Sequence, residues 1–394
     1  MKKNPIILLL MLALSSCIYK YTPDVSGEYG RVVIEGDISI GTVSHFSASR
    51  VIPLGVSFAG AVSPGVSKAS FKVEDEDGTE YKEKGSTGDI DLSSASADKR
   101  YRLVAEVTVE GEDPVEYVSD WQYPAPAPEI GDLVETVVDD RLCLALNLSS
   151  DGGSGCYRWE YEELYKYRSP MGEPTLEFSV ADTAIMDHSH ASDISEVQRW
   201  WKYSWCWMET RSRRSAVAIA KALEGSNLVN HEFMTMERSS DKIAAGEYYI
   251  RLIARTIPED QYLYLNAVNE GSENTGSLFS PLPGEQIGNI RNSKDPDDYA
   301  LGYVGVNLVA KKLFKVYTKG TGRRFNVNAV TKYMIKELSL LFPYMTLKEL
   351  TIASYNMGYY PYRYDADFTL SWVPKYCFDC RLSGGKIDKP TGWD

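Results

Sequence analysis

Few residues in this chain have types and spacing suited to chemistry. His188-Ser189-His190, flanked by Asp187 and Asp193, places two imidazoles on alternate residues, so an extended backbone would turn both toward one ion. A bound divalent metal needs a third ligand, and the sequence supplies none at ligand spacing. The metal reading therefore stays weak, and the pair reads as a solvated loop. Cys377-Phe378-Asp379-Cys380 is a C-x-x-C pair open to three readings: a short-loop disulfide, a redox pair, or half of a zinc site. No second pair follows, and Tyr376 before it and Arg381-Leu382-Ser383-Gly384-Gly385 after it are loop chemistry. A Cys377–Cys380 disulfide closing a C-terminal loop is the reading adopted, with Cys206 as the other available partner for either sulfur. There is no nucleophile elbow, phosphate-binding loop or H-E-x-x-H. The paired acids Glu162-Glu163 and Asp297-Asp298 are adjacent and point apart or into solvent. No catalytic residue and no cofactor is assigned, and the chain is not read as an enzyme.

Aromatic residues form a stronger signal. Trp200-Trp201-Lys202-Tyr203-Ser204-Trp205-Cys206-Trp207 carries four tryptophans and a tyrosine in eight residues. On a strand, Trp201, Tyr203, Trp205 and Trp207 share one face and Trp200 takes the other. Flat rings beside polar groups stack on sugars, peptides or planar ligands. The shared face is expected to pack as core, leaving Trp200 exposed. Trp200, Trp201 and Trp205 are the ligand-binding candidates here, and Tyr359 and Tyr360 in the Tyr359–Tyr364 run are the others.

The elements that must hold these residues are mostly strands. The chain has 394 residues, 42 Lys and Arg against 55 Asp and Glu, 43% hydrophobic residues and a formal net charge of -13. That composition excludes a disordered chain or a polytopic membrane protein, and the charge argues against nucleic acid as a partner. No basic cluster stands out. Val32–Gly36, Val51–Val56, Phe71–Asp75 and the alternating Tyr101, Leu103, Ala105, Val107 and Val109 read as strands. Asp77-Gly78 supplies a tight hairpin. An EF-type calcium loop through the same acids fails, since its first position is Val73 and its last is Lys84. Pro124, Pro126 and Pro128 mark a stiff linker or connecting strand. Further strands are expected at Leu142–Leu148, Tyr157–Leu164, Ala216–Ala222, Tyr248–Ala254 and Leu301–Val306, with a long loop over 168–198. Helices are expected from Pro258 to about Glu270, ended by Gly271, from an Asn328 cap through Val330, Met334 and Leu338, and after the Thr346-x-x-Glu349 capping box. The tail from Tyr359 shows no period. The fold expected is mainly β, with tandem Ig-like or transthyretin-like β-sandwich domains and a few helices in the C-terminal half.

The N-terminus supplies an address. Lys2 and Lys3, the apolar run Ile6 to Leu14, and then Ser15-Ser16-Cys17 have the layout of a secretory signal. Leu14-Ser15-Ser16-Cys17 resembles the lipobox of bacterial lipoproteins, which implies cleavage before Cys17 and acylation of that cysteine, anchoring the chain through acyl chains. The expected organisation is a signal peptide over 1–16, a tether over 17–30, a first sandwich over 31–124, and a second β-rich domain with helical insertions over 125–394.

The order of segments resembles a family of Bacteroidota outer-membrane lipoproteins catalogued as domain of unknown function 4249. The matching stretches are the lipobox, Arg31–Gly36, Val73–Gly78, Tyr101–Val107, Pro126-Ala127-Pro128, Cys206-Trp207, Gly276–Phe279, Pro281-Leu282-Pro283, Gly288-Asn289-Ile290, Leu301-Gly302-Tyr303, Cys377-x-Asp379-Cys380, Gly384-Gly385 and Pro390-x-x-Trp393. Residues 307–360 read as longer and more helical than that pattern. The resemblance implies an outer-membrane lipoprotein, surface-exposed, working beside a TonB-dependent transporter and without established enzymatic activity. The function expected is capture of a small molecule, peptide or glycan. The rivals are a structural or adhesive fimbria-associated lipoprotein and a metal-dependent hydrolase using His188 and His190.

Overall fold

A computed structural model describes residues 30–51, 65–171, 176–179, 184–187, 203–211, 218–273, 287–321, 333–334, 339–364 and 370–393. It is mainly β, with few helices, most of them in the C-terminal half. Alternation along Tyr101–Val109 puts Tyr101, Leu103, Ala105, Val107 and Val109 on one buried face. This strand lies between Val66–Asp75 and Val115–Ser119 in a six-stranded sheet. Across the core stand two small antiparallel pairs, Val32–Glu35 with Ser47–Arg50 and Val43–His45 with Asp89–Asp91. Ile34, Ile38, Phe46, Phe71, Val73 and Ile90 fill the space between. Each such side chain contributes about 1.5–3 kcal/mol by leaving water. The hairpin expected at Asp77-Gly78 forms: Gly78 has φ +85°, and the Asp75 carboxylate accepts from the backbone N–H groups of Asp77 and Thr79.

That first unit is not completed by residue 124. Its sheet continues from Val115–Ser119 to Ile290–Asn292 and Tyr299–Ala300, contributed from far along the chain. Ile38–Ile40 leaves it to pair in parallel with the start of Val306–Val316, in the second unit's main sheet. The proline-rich stretch meets the same place, where the Ala125 N–H donates to Val306 and its carbonyl accepts from the Leu308 N–H. Asp37 pins this crossing, accepting from Gln261 at 2.8 Å and the Gly305 N–H at 3.1 Å and pairing with Arg158 at 2.5 Å. The strand expected over Leu301–Val306 begins only at Val306. Gly302 explains the delay: its φ is +122°, and a Cβ there would lie 2.0 Å from the Ile34 carbonyl oxygen, so the backbone turns before pairing.

The second unit is a sandwich. Its main sheet runs Trp205–Arg211, Cys156–Arg168, Tyr248–Thr256, Val306–Val316 and Ile38–Ile40, with Ala218–Lys221 also against Cys156–Arg168. Facing it, Arg141–Ser149 pairs with Glu129–Ile130, Val134–Val138 and Leu228–Glu237. Leu142, Leu144, Leu146 and Leu148, the expected alternating row, meet Tyr157, Trp159, Tyr248, Ile250 and Leu252 across the core.

Several local expectations give way. Within 168–198, Leu176–Ser179 and Ala184–Asp187 form a hairpin rather than continuous loop. The Glu259–Glu273 helix passes through Gly271, residues 307–316 lie on the long Val306–Val316 strand, and the expected Asn328 cap, Val330 and Leu338 lie outside the described residues. Met334 lies on a short strand, Tyr333–Met334, not a helical stripe. The aperiodic tail also becomes a sheet, with Leu370–Pro374 between Tyr333–Met334 and Tyr359–Tyr364. A register shift between Pro361 and Arg363 breaks the two-residue period there, hiding the strand from a periodicity reading. The capping box at Thr346 and Glu349 forms both of its bonds and opens the Leu347–Asn356 helix.

Candidate ligand-binding surface

Residue alternation along Cys156–Arg168 divides the main sheet's chemistry between its faces. Tyr157, Trp159 and Glu163 turn inward, while Glu162, Lys166 and Arg168 turn outward. The adjacent acids Glu162 and Glu163 do point apart. Glu162 pairs with Arg251 at 2.7 Å and Arg211 at 3.0 Å. Glu163, 4% exposed, takes hydrogen bonds from Lys242 at 2.7 Å, Tyr248 at 2.5 Å and Thr210 at 3.0 Å. Burial and the neighbouring carboxylate push the Tyr248 hydroxyl far above its ordinary value. This buried cluster satisfies its charges internally and serves the fold.

The outward face carries the aromatic run. Trp205 pairs in register with Arg168, and Trp207 with Lys166. Cys206 between them turns inward, 1% exposed, and forms a disulfide with Cys380, 174 residues on. With Cys206 committed inward, the two-residue period sends Trp205 and Trp207 outward. The expectation of a core face is therefore corrected: Trp205 is 43% exposed and Trp207 is half-buried. The Lys166 ammonium lies 5.8 Å from the centres of both indoles, and the Arg168 guanidinium 5.5 Å from Trp205. On the next strand Tyr249 continues the row, with Lys389 at 4.5 Å and Lys315 at 5.5 Å from its ring. Among the described residues no carboxylate pairs with Lys166 or Arg168. Glu247 accepts from the Tyr249 hydroxyl at 2.7 Å and pairs with Lys315 at 3.6 Å, and these contacts, with the more distant charge of Lys166, hold its carboxyl below the usual range.

The C-terminal segment frames this face. Lys386 exchanges backbone hydrogen bonds with Trp207, and Trp393 beyond it meets Glu209 and Arg251. Trp393 is 1% exposed, donates through Nε1 to Glu209 at 3.2 Å and lies under the Arg251 guanidinium at 4.2 Å. Arg251 also bonds the Gly392 carbonyl. Lys386 holds Glu209 at 3.0 Å and keeps its carboxyl below the ordinary value.

The cysteine pairing also differs from expectation. Cys377 closes one 3-10 turn and Cys380 opens the next, so the two sulfurs meet different neighbours. Cys377 is a free thiol buried with Tyr360, Val373 and Phe378, and burial pushes it up to about 11. Tyr360, fully buried, belongs to the same core, and half-buried Tyr359 packs against the Leu350 and Trp372 cluster. Neither forms part of the outward face. Cys17, His188, His190, Trp200 and Trp201 lie outside the described residues. Among the described residues no three His, Cys, Asp or Glu side chains converge as metal ligands. Sequence reasoning missed Lys166, Arg168, Tyr249 and Lys389, because these residues come together only when two strands and the C-terminal tail are assembled. A second exposed feature is an apolar turn in which Leu340, Leu341, Phe342, Tyr344 and Leu347 all face solvent.

The family model described as a domain of unknown function, DUF4249, matches residues 18–312. No curated protein matches the chain. The disulfide therefore joins Cys206, inside the matched region, to Cys380 beyond it.

Proposed function

Since the chain belongs to the DUF4249 family, we propose that it is a lipid-anchored lipoprotein of the bacterial outer membrane, of the Bacteroidota type, that captures a ligand at the cell surface and passes it to a TonB-dependent transporter. The observation that carries the binding role is the outward row of Trp205, Trp207 and Tyr249, its rings interleaved with cations on a rigid sheet. An exposed indole costs solvation in the free protein, and contacts of this kind concentrate at recognition surfaces. The Leu14-Ser15-Ser16-Cys17 motif supports the anchor, with acylation at Cys17 holding the protein at the membrane. The exposed apolar turn at Leu340 to Leu347 is the surface offered to the transporter, since contiguous apolar patches on a soluble body mark protein contacts.

The test compares cells carrying the intact protein, Trp205→Ala, or Phe342→Asp. Ligand capture falls with the first, and co-purification of the transporter falls with the second. Unchanged capture and unchanged uptake after deletion of the whole protein would sink this reading.

A further inference from the structure

Resting on that capture role, we infer that the Trp205 face takes an acidic oligosaccharide, a chain of pyranose rings carrying carboxylates. Two features of the face select this class together. The first is geometry: Trp205 and Trp207 sit two residues apart on one strand, roughly 6.5–7 Å, so their rings form a row along the strand direction. A row of flat rings suits a polymer whose repeating unit has an apolar face of C–H groups. The second is charge. Arg168 and Lys166 stand in register beside these tryptophans, and Lys315 and Lys389 stand beside Tyr249.

On a chain with a formal charge of -13, a local concentration of cations works against the overall repulsion of an anionic ligand. Arg168 also offers a planar fork that matches a carboxylate with two parallel hydrogen bonds. A neutral glycan would use the rings and leave Lys166 and Arg168 without partners. An acidic peptide would use the cations, but its carboxylates hang on flexible stems with no flat apolar face to stack. A uronate chain uses both, one ring and one charge per unit. The carboxylates already present offset only part of the patch: Glu247 is engaged by Tyr249 and Lys315 and also feels the Lys166 charge, and Glu209 is engaged by Lys386 and Trp393, which leaves Arg168 as the cation most open to a ligand.

The experiment titrates the purified full chain with oligogalacturonate, with a neutral cello-oligosaccharide of equal length, and with poly-glutamate. Oligogalacturonate is expected to bind at least about tenfold more tightly than either comparator. Its affinity should fall steeply as salt rises from about 50 to about 500 mM. Trp205→Ala and the Lys166→Ala/Arg168→Ala pair should each weaken it by about tenfold or more, while Trp205→Tyr retains most of it. Near-ultraviolet circular dichroism and melting checks that each variant folds, which the exposure of these side chains favours. Equal, salt-insensitive binding of the neutral chain overturns the acidic class and leaves capture standing, and equal binding of poly-glutamate overturns the saccharide. Absence of saccharide binding, with uptake still lost in Trp205→Ala cells, overturns the inference alone. If that variant changes neither binding nor uptake, both this inference and the capture role fall.

Discussion

Cations stack on aromatic rings in both sandwiches, but with different company. In the first, Arg31 lies over Tyr299 at 3.7 Å and pairs with Asp298, Arg102 lies over Trp121 at 4.7 Å and pairs with Glu74, and Arg100 lies over Tyr123 at 5.8 Å and pairs with Glu76. Every one of those cations is neutralised by its own surface. On the outer face of the second, Lys166 and Arg168 have rings but no carboxylate among the described residues. A face that only has to stay solvated is served by local neutralisation, whereas positive charge left beside exposed indoles is available to a ligand. The two regions also differ in what fixes them: the first by interleaved strands, the second's outer edge by a disulfide and the buried Trp393.

The largest expected effect comes from cutting that second support. Cys206→Ser removes a crosslink across 174 residues and should cost about 2–5 kcal/mol, read by denaturant unfolding. Hydrogen exchange should show the loss concentrated in Trp205–Arg211 and the C-terminal segment, with Tyr101–Val109 still protected. Protection lost evenly across both sandwiches would erase the distinction. Next in size is Tyr248→Phe, which removes a donor to the buried Glu163 carboxylate and should cost about 1–2 kcal/mol in the same assay. Smaller still is the stability change of Trp205→Ala, within roughly 0.5 kcal/mol because the side chain is exposed. A stability loss several times larger would make the indole a packing element and remove the contrast with the first sandwich.

Much of the β framework was legible because burial imposes a two-residue period: Leu142 to Leu148, Tyr101 to Val109 and Tyr248 to Ala254 all obey it. The outward direction of Trp205 was not, since alternation assigns residues to two faces without saying which is buried. That choice is set by Cys206 reaching Cys380, a long-range partner that spacing cannot select over the nearby Cys377. The strand at Tyr359–Tyr364 was hidden by its irregular register, and the start of Val306–Val316 by the close approach of Gly302 to Ile34. The basic patch escaped because Lys166, Lys315 and Lys389 become neighbours only when three elements are assembled.

The smallest effect is the most direct measure of how thoroughly the first sandwich neutralises itself. Lys72 and Lys82 hold the Glu80 carboxyl down to about 2, and Ser93 and Lys84 hold Asp91 down to about 2. Burial pushes Asp75 upward, but Lys99 and Thr79 outweigh it and keep it below its ordinary value. Depressed values in the folded state mean that the stabilisation is complete above the unfolded carboxyl range, near about 4, and drains away as pH falls toward 2. For the lysines the sign reverses: Lys72 and Lys99 are raised, so their contribution is whole below about 10.4 and is lost at higher pH. Amide exchange in Val66–Asp75 should therefore be flat through neutral pH, after correction for its intrinsic pH dependence, and show protection falling modestly below pH about 4. Glu80→Gln should remove part of that acid-side loss while changing neutral stability little, as expected for an exposed pair. On the Trp205 face Glu209 and Glu247 are likewise held below their ordinary values, by Lys386 and by Tyr249 and Lys315 respectively. Among the described residues no acid forms an ion pair with Lys166 or Arg168, so acid should loosen the first two contacts and leave exchange at Lys166 and Arg168 less affected. An acid response at Lys166 and Arg168 equal to that of Val66–Asp75 would mean that a carboxylate does neutralise these two cations, and they would no longer be in reserve for a ligand.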